Sequence, residues 1–131
     1  HLAMLSVWLE RQAAAQTGED APHPPSARRL AARYAALIET HYRSGAGVAA
    51  YAAALGVTPT HLSRVCRQTM GRSAKDLLAD RTIYEARRLL KETSVPVQDL
   101  ARHLGFRSAA YFSRAFHART GSTPTDFRNG G

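Results

Sequence analysis

Cysteine is almost missing from these 131 residues: Cys66 stands alone, so neither an internal disulfide nor a Cys-rich zinc site can be built. A single thiol suits a reducing compartment. No apolar run approaches the roughly 18 residues that a membrane helix needs. The opening residues lack a basic segment followed by a small-residue cleavage site, so no secretory signal is read there. The six histidines show no metal-ligand spacing, and there is no GxGxxG or other Gly-rich phosphate loop. No Ser/His/Asp or Cys/His set can be assembled. These absences argue against an enzyme, a metal site or a bound cofactor, and leave a soluble cytoplasmic module as the expectation.

Acidic residues are also scarce, with 10 Asp+Glu against 18 Lys+Arg. The imbalance is local. Residues 1–25 hold Arg11 against Glu10, Glu19 and Asp20, a net of 1 − 3 = −2, and residues 26–131 hold 17 − 7 = +10. A surplus of that size in about a hundred residues suits a polyanionic partner. Charge alone does not separate nucleic acid from an anionic membrane surface or from a need for solubility.

Segment 2–16 places Leu2, Leu5, Trp8 and Leu9 at helical spacing, and residues 17–25 (TGEDAPHPP) read as a linker. Ser26 is read as the cap of a helix whose stripe is Leu30, Tyr34, Leu37, Ile38 and Tyr42. The run Ser44-Gly45-Ala46-Gly47 ends it. A short helix follows from about 48, then a Leu55-Gly56-Val57 turn. Thr58-Pro59 opens another helix that runs to Met70 and stops at Gly71. Ser73 caps a long helix over 74–92. No stretch alternates with period two, so the chain reads as all-α.

An internal repeat then emerges. Val48, Tyr51, Ala52, Leu55 and Gly56 return as Val97, Leu100, Ala101, Leu104 and Gly105, at an offset of 105 − 56 = 49. Arg107 is an extra residue in the second turn, after which Leu62-Ser63-Arg64-Val65-Cys66 matches Phe112-Ser113-Arg114-Ala115-Phe116. Helix, Gly-containing turn and capped helix is the helix-turn-helix arrangement, here expected twice, over 48–70 and 97–120. With about 100° per residue and Leu62 as zero, Val65, Cys66 and Thr69 fall inward. Thr60, Ser63, Arg64 and Arg67 gather opposite. In the second copy Phe112, Ala115 and Phe116 point inward and Ala110, Ser113, Arg114 and His117 outward.

The segments LGVTPTHLSRVCRQTMGRSAKDLL and EARRLLKETSVPVQDLARHLGFRSAAYFSRAFHARTGSTPTDFR resemble the DNA-binding domain of the AraC/XylS family of bacterial transcription regulators. The resemblance covers about residues 28–128, and LGF, YFSRAF, the Thr-Gly pair and the P-x-x-F-R ending occur in order. It implies two helix-turn-helix units joined by one long helix, with both recognition helices in successive major grooves of a double-stranded DNA operator. It also implies a bacterial, nucleoid-associated location and RNA polymerase as a further candidate partner. On that resemblance, residues 1–16 are expected to be the remnant of an N-terminal effector-binding and dimerisation domain, and 26–131 the DNA-binding domain. The His-first start fits an excised fragment. A small-molecule effector would act only through the N-terminal domain. The fragment is expected to be monomeric, and the intact protein is a homodimer candidate.

Carried over by position, the base-reading residues are Thr60, Ser63 and Arg64 with His61 at the margin, and Ala110, Tyr111, Ser113 and Arg114 in the second unit. Ala109 and Ala110 depart from the family's usual polar residues, so the second unit is expected to read less by hydrogen bonding. Phosphate contacts are expected at helix starts capped by Thr58, Ser108 and Thr123, with Arg67, Arg72, Arg107 and His117 nearby. Cys66 matches Phe116 and is expected in the core, although alkylation-repair proteins that carry such a domain make a methyl-acceptor thiol the enzymatic alternative. The other alternative is a protein-interaction module that uses the same fold and charge for an acidic partner.

Overall fold

The computed structural model describes residues 24–130. The helix expected over 2–16 and the linker residues 17–23 lie outside that range. Seven α-helices follow one another: α1 (Pro25–His41), α2 (Val48–Leu55), α3 (Pro59–Met70), α4 (Ala74–Glu92), α5 (Val97–His103), α6 (Ala109–Thr120) and α7 (Pro124–Arg128), with a 3-10 turn at Tyr42–Ser44 after α1. No strand occurs among the described residues, and no helix there is long and apolar enough to cross a membrane. Helices α2–α3 and α5–α6 are the two helix-turn-helix units, and α4 joins them.

The local signals act where the sequence places them. Thr58 Oγ1 accepts the His61 N–H, Ser73 Oγ that of Asp76, Ser108 Oγ that of Tyr111 and Thr123 Oγ1 that of Asp126, each at 3.1 Å. Each such cap contributes about 1 kcal/mol. Ser26 is the exception. Helix α1 starts at Pro25, two residues earlier than a Ser26 cap implies, and Pro24 before it offers no side-chain cap. Pro25 has no N–H to satisfy and a φ already helical, so it takes the first helical position and carries Ser26 into the first turn.

The two units share one contiguous core built from different side chains. In the first unit Leu62, Val65 and Cys66 are buried, and the Tyr34 and Tyr51 rings meet edge to face at 5.6 Å. The Tyr34 hydroxyl donates to the Ala74 carbonyl (2.6 Å), tying α1 to the start of α4. The second unit stacks four phenylalanines in sequence: Phe106, Phe112, Phe116 and Phe127, with centroids 5.1, 5.8 and 5.4 Å apart. Cys66, matched to Phe116, is fully buried, and burial pushes its thiol above the ordinary range. The P-x-x-F-R ending closes this core. Pro124 is fully buried, Phe127 meets Phe116, and Arg128 donates to the carbonyls of Leu90 (3.0 Å) and Val95, satisfying the end of α4.

The turn before the first unit meets the turn of the second backbone to backbone. A Cβ at Gly105 would lie 2.6 Å from the Arg43 carbonyl and from the Gly45 nitrogen, and a Cβ at Gly45 would lie 2.6 Å from the Gly105 carbonyl. Arg43 Nη1 and His103 Nε2 meet beside it at 3.1 Å. Gly56, the repeat partner of Gly105, has the same positive φ (+74° against +89°) but open space where its Cβ would go. Equilibrium denaturation should therefore separate the two positions. Gly56→Ala is expected to cost about 1–2 kcal/mol for its left-handed backbone alone. Gly105→Ala is expected to cost that plus about 1–3 kcal/mol of overpacking. Equal losses would show that the inter-unit contact has room to give. For Cys66, a disulfide-exchange reagent is expected to modify the thiol only in denaturant. Stoichiometric reaction within seconds in native buffer would contradict its burial.

Candidate nucleic-acid interface

Helix α3 buries Leu62, Val65 and Cys66, and this orients the rest of its surface. Thr60, His61, Arg64 and Arg67 are exposed, as is Thr58 at its start. Ser63 is half-buried, and its hydroxyl accepts the Ala74 N–H at 3.4 Å, so it faces the beginning of α4. Helix α6 buries Phe112 and Phe116 and exposes Ala110, Tyr111, Arg114 and His117, with Arg107 and Ser108 exposed at its entrance. Ser113 is half-buried. Ala115, expected inward, is also only half-buried, because it faces the space between the units. Thr123 is half-buried at the head of α7.

That space is an open cleft of about 880 Å³. Thr60, Ser63 and Arg67 of α3 form one wall, Ala115, Ala118 and Arg119 of α6 the other, and Leu78, Ala79 and Ile83 of α4 lie between them. Lys75, in the first turn of α4, also lines the cleft, and sequence reasoning missed it. The available signal was the short Gly71-Arg72-Ser73 connection, which brings the first turn of α4 back beside the end of α3.

The charges are sorted. Among the described acids, Glu39 pairs with Arg81, Asp76 with Arg119, Asp80 with Arg72 and Arg119, Glu85 and Glu92 with Arg88, and Asp99 with Arg102. Arg119 holds the Asp76 carboxyl below its usual range, and Arg88 does the same for Glu85. By contrast Arg64, Arg67, Lys75, Arg107 and Arg114 have no hydrogen bond or ion pair among the described residues; Arg33, Arg87 and Lys91 aside, the cations without such a partner gather on α3, α6 and their approaches. Asp126, exposed at the start of α7, is the one described acid without an ion pair; a surface left with such an excess of positive charge presents an attractive field to a polyanion.

Arg72 is placed differently from the expectation. Its Nε and Nη2 donate to the two Asp80 oxygens at 2.9 and 2.8 Å, a bidentate pair that gives it a protein partner. Asp80 also accepts from Arg119 at 3.5 Å, so one carboxylate on α4 reaches the end of each recognition helix. In the second unit the guanidinium carbons of Arg107 and Arg114 lie 3.8 and 5.0 Å from the centroid of the Tyr111 ring.

Comparison with known proteins agrees with this architecture. A family model described as a helix-turn-helix domain matches residues 51–130. The arabinose operon regulatory protein of Salmonella typhimurium is 34% identical over 112 residues, covering 82% of this chain and 38% of that protein. Its Escherichia coli counterpart is 32% identical over 108 residues, covering 82% and 37%. The chain thus spans under two fifths of the length of these relatives. Among solved structures, the C-terminal domain of AraT, a response regulator from Geobacillus stearothermophilus, superimposes with a TM-score of 0.73 at 29% identity over 78% of this chain and 85% of that one. The DNA-binding domain of AdpA, solved with a target DNA, gives 0.69 at 25% identity over 76% and 90%. Two capped helix-turn-helix units on one joining helix, the unpaired arginines on their recognition helices and these matches lead to one conclusion: the chain belongs to the AraC/XylS family of helix-turn-helix transcription regulators and carries its DNA-binding domain.

Proposed function

We propose that this domain reads a specific double-stranded operator with α3 and α6 in two successive major grooves, about 34 Å or 10 bp apart, and performs no chemistry of its own. The observation that carries the reading is the sorting of charge. Six of the seven described acids are neutralised within the fold, Asp126 at the start of α7 being the exception, and Arg64, Arg67, Arg107 and Arg114 are left unpaired on the recognition helices and the approach to α6.

In this reading Arg64 makes two hydrogen bonds to the N7 and O6 acceptors of a guanine, with Thr60 and His61 beside it. Ser63 contributes less, because its hydroxyl is engaged at the start of α4. Arg114, Ser113 and Ala110 meet the second groove, with the Tyr111 ring beside Arg114. The N-termini of α3, α6 and α7, capped by Thr58, Ser108 and Thr123, take phosphates together with Arg67, Arg107, His117 and Lys75. Arg72 is left out of the phosphate set because Asp80 already holds it. In the intact protein a small-molecule effector acts through the N-terminal domain, RNA polymerase is a further candidate partner, and the protein is a homodimer candidate in the bacterial cytoplasm.

Selection of preferred sites from random duplexes, followed by titration at several salt concentrations, tests the reading. Specific binding with a steep negative log–log salt slope is expected. Equal affinity for every duplex would favour an interaction module for acidic proteins instead. Two substitutions separate the roles. Arg64→Ala is expected to cost about 1–3 kcal/mol on the best site and to relax preference at one base position. An unchanged base preference would show that the reading face is misassigned. Arg67→Ala is expected to weaken all duplexes evenly and to lower the salt slope by about one.

A further inference from the structure

Arg64 and Arg114 occupy the same place in the repeat, but they are held differently. Arg64 has no aromatic partner among the described residues. Arg114 lies within cation–π range of Tyr111, three residues before it on the same helix, and Arg107 stacks more closely still, at 5.0 and 3.8 Å from the ring centroid. Both features are peculiar to the second unit. Arg107 is the residue by which its turn exceeds the first turn, and His61 stands where Tyr111 stands.

The Tyr111 ring is not part of the hydrophobic core among the described residues. It is 42% exposed, while Phe112 and Phe116 beside it fill the core. A large aromatic half out in solvent on the recognition helix, with an arginine from the turn and another from the helix gathered over it, has an orienting effect. A free arginine samples many rotamers, and most of that freedom is lost when the guanidinium forms a two-point contact with a base edge. A ring that already restricts it removes part of the loss before DNA arrives, and the planar guanidinium keeps its edge donors while its face is covered.

We infer that Tyr111 is a positioning residue for sequence reading by the second unit: its ring presets Arg114 for a base edge and Arg107 for the adjoining phosphate. This rests on the reading of α6 as a groove-binding helix. It offsets the two alanines at the start of α6, and gives the second unit more selectivity than its hydrogen-bonding residues alone suggest.

The test compares the wild-type chain with Tyr111→Phe, Tyr111→Leu and Arg114→Ala. The readouts are the base preference at each position of duplexes selected by the wild type, the salt slope and the thermal midpoint. Tyr111→Phe keeps the ring and is expected to keep the preferences. Tyr111→Leu keeps bulk without the ring and is expected to flatten preference under α6 by about threefold to fivefold. Preferences under α3, the salt slope and the thermal midpoint are expected to hold, since no charge is removed and no core side chain is changed. Three results would overturn the inference alone: preference under α6 that survives Tyr111→Leu, uniform loss on every duplex with a lowered midpoint, or equal loss in Tyr111→Phe, which would make the hydroxyl the reader. A wild-type profile already flat under α6, and unaltered by Arg114→Ala, would overturn the groove reading as well.

Discussion

Two stretches of backbone meet where no side chain fits, and the geometry of the reading surface follows from that contact. Gly45 precedes the first helix-turn-helix unit and Gly105 turns the second, and each occupies the volume that a Cβ on the other would need. Side chains packed between domains can change rotamer and let the domains slide. A main chain against a main chain has no such slack. With α4 as a common floor, the contact fixes one unit against the other, so that binding by the first presents the second at a high effective concentration to its own groove.

The energetic division of labour follows from the same frame. Arg81 and Arg88 of α4 and Arg119 at the end of α6 are spent on neighbouring carboxylates; Arg64, Arg67 and Arg114 of the recognition helices are not. Surface ion pairs contribute little stability one at a time. Their larger effect here is on the field, because each carboxylate engaged by Arg81, Arg88 or Arg119 is one that does not oppose an approaching phosphate. Arg128 is a cation with a purely architectural task, satisfying carbonyls at Leu90 and Val95.

What could be read from the residues alone was whatever depends on one helix at a time. The capping hydroxyls at Thr58, Ser73, Ser108 and Thr123 lie three residues from the N–H groups they accept, so spacing suffices to find them. The repeat placed Cys66 in the core by matching it to Phe116. The misses all involve a second element. Ser26 was a reasonable cap until Pro25 competed for the first turn. The Asp80 partner of Arg72 lies two turns away on a helix whose direction the sequence does not state. Ser63 shares its flank of the wheel with outward residues, and only the crossing of α3 over the start of α4 turns it toward Ala74. Lys75 and the Gly45–Gly105 contact belong to the same class.

Asp80 has two partners. By engaging Arg72 and Arg119 together, it withholds two handles that a passing duplex would otherwise grasp whatever its sequence. A regulator searches among some 10⁶–10⁹ competing genomic positions, and its time is lost mainly to those where it lingers in error. An acid that curbs indiscriminate grip shortens each such stop, so part of what makes this surface discriminating is the charge that it keeps to itself.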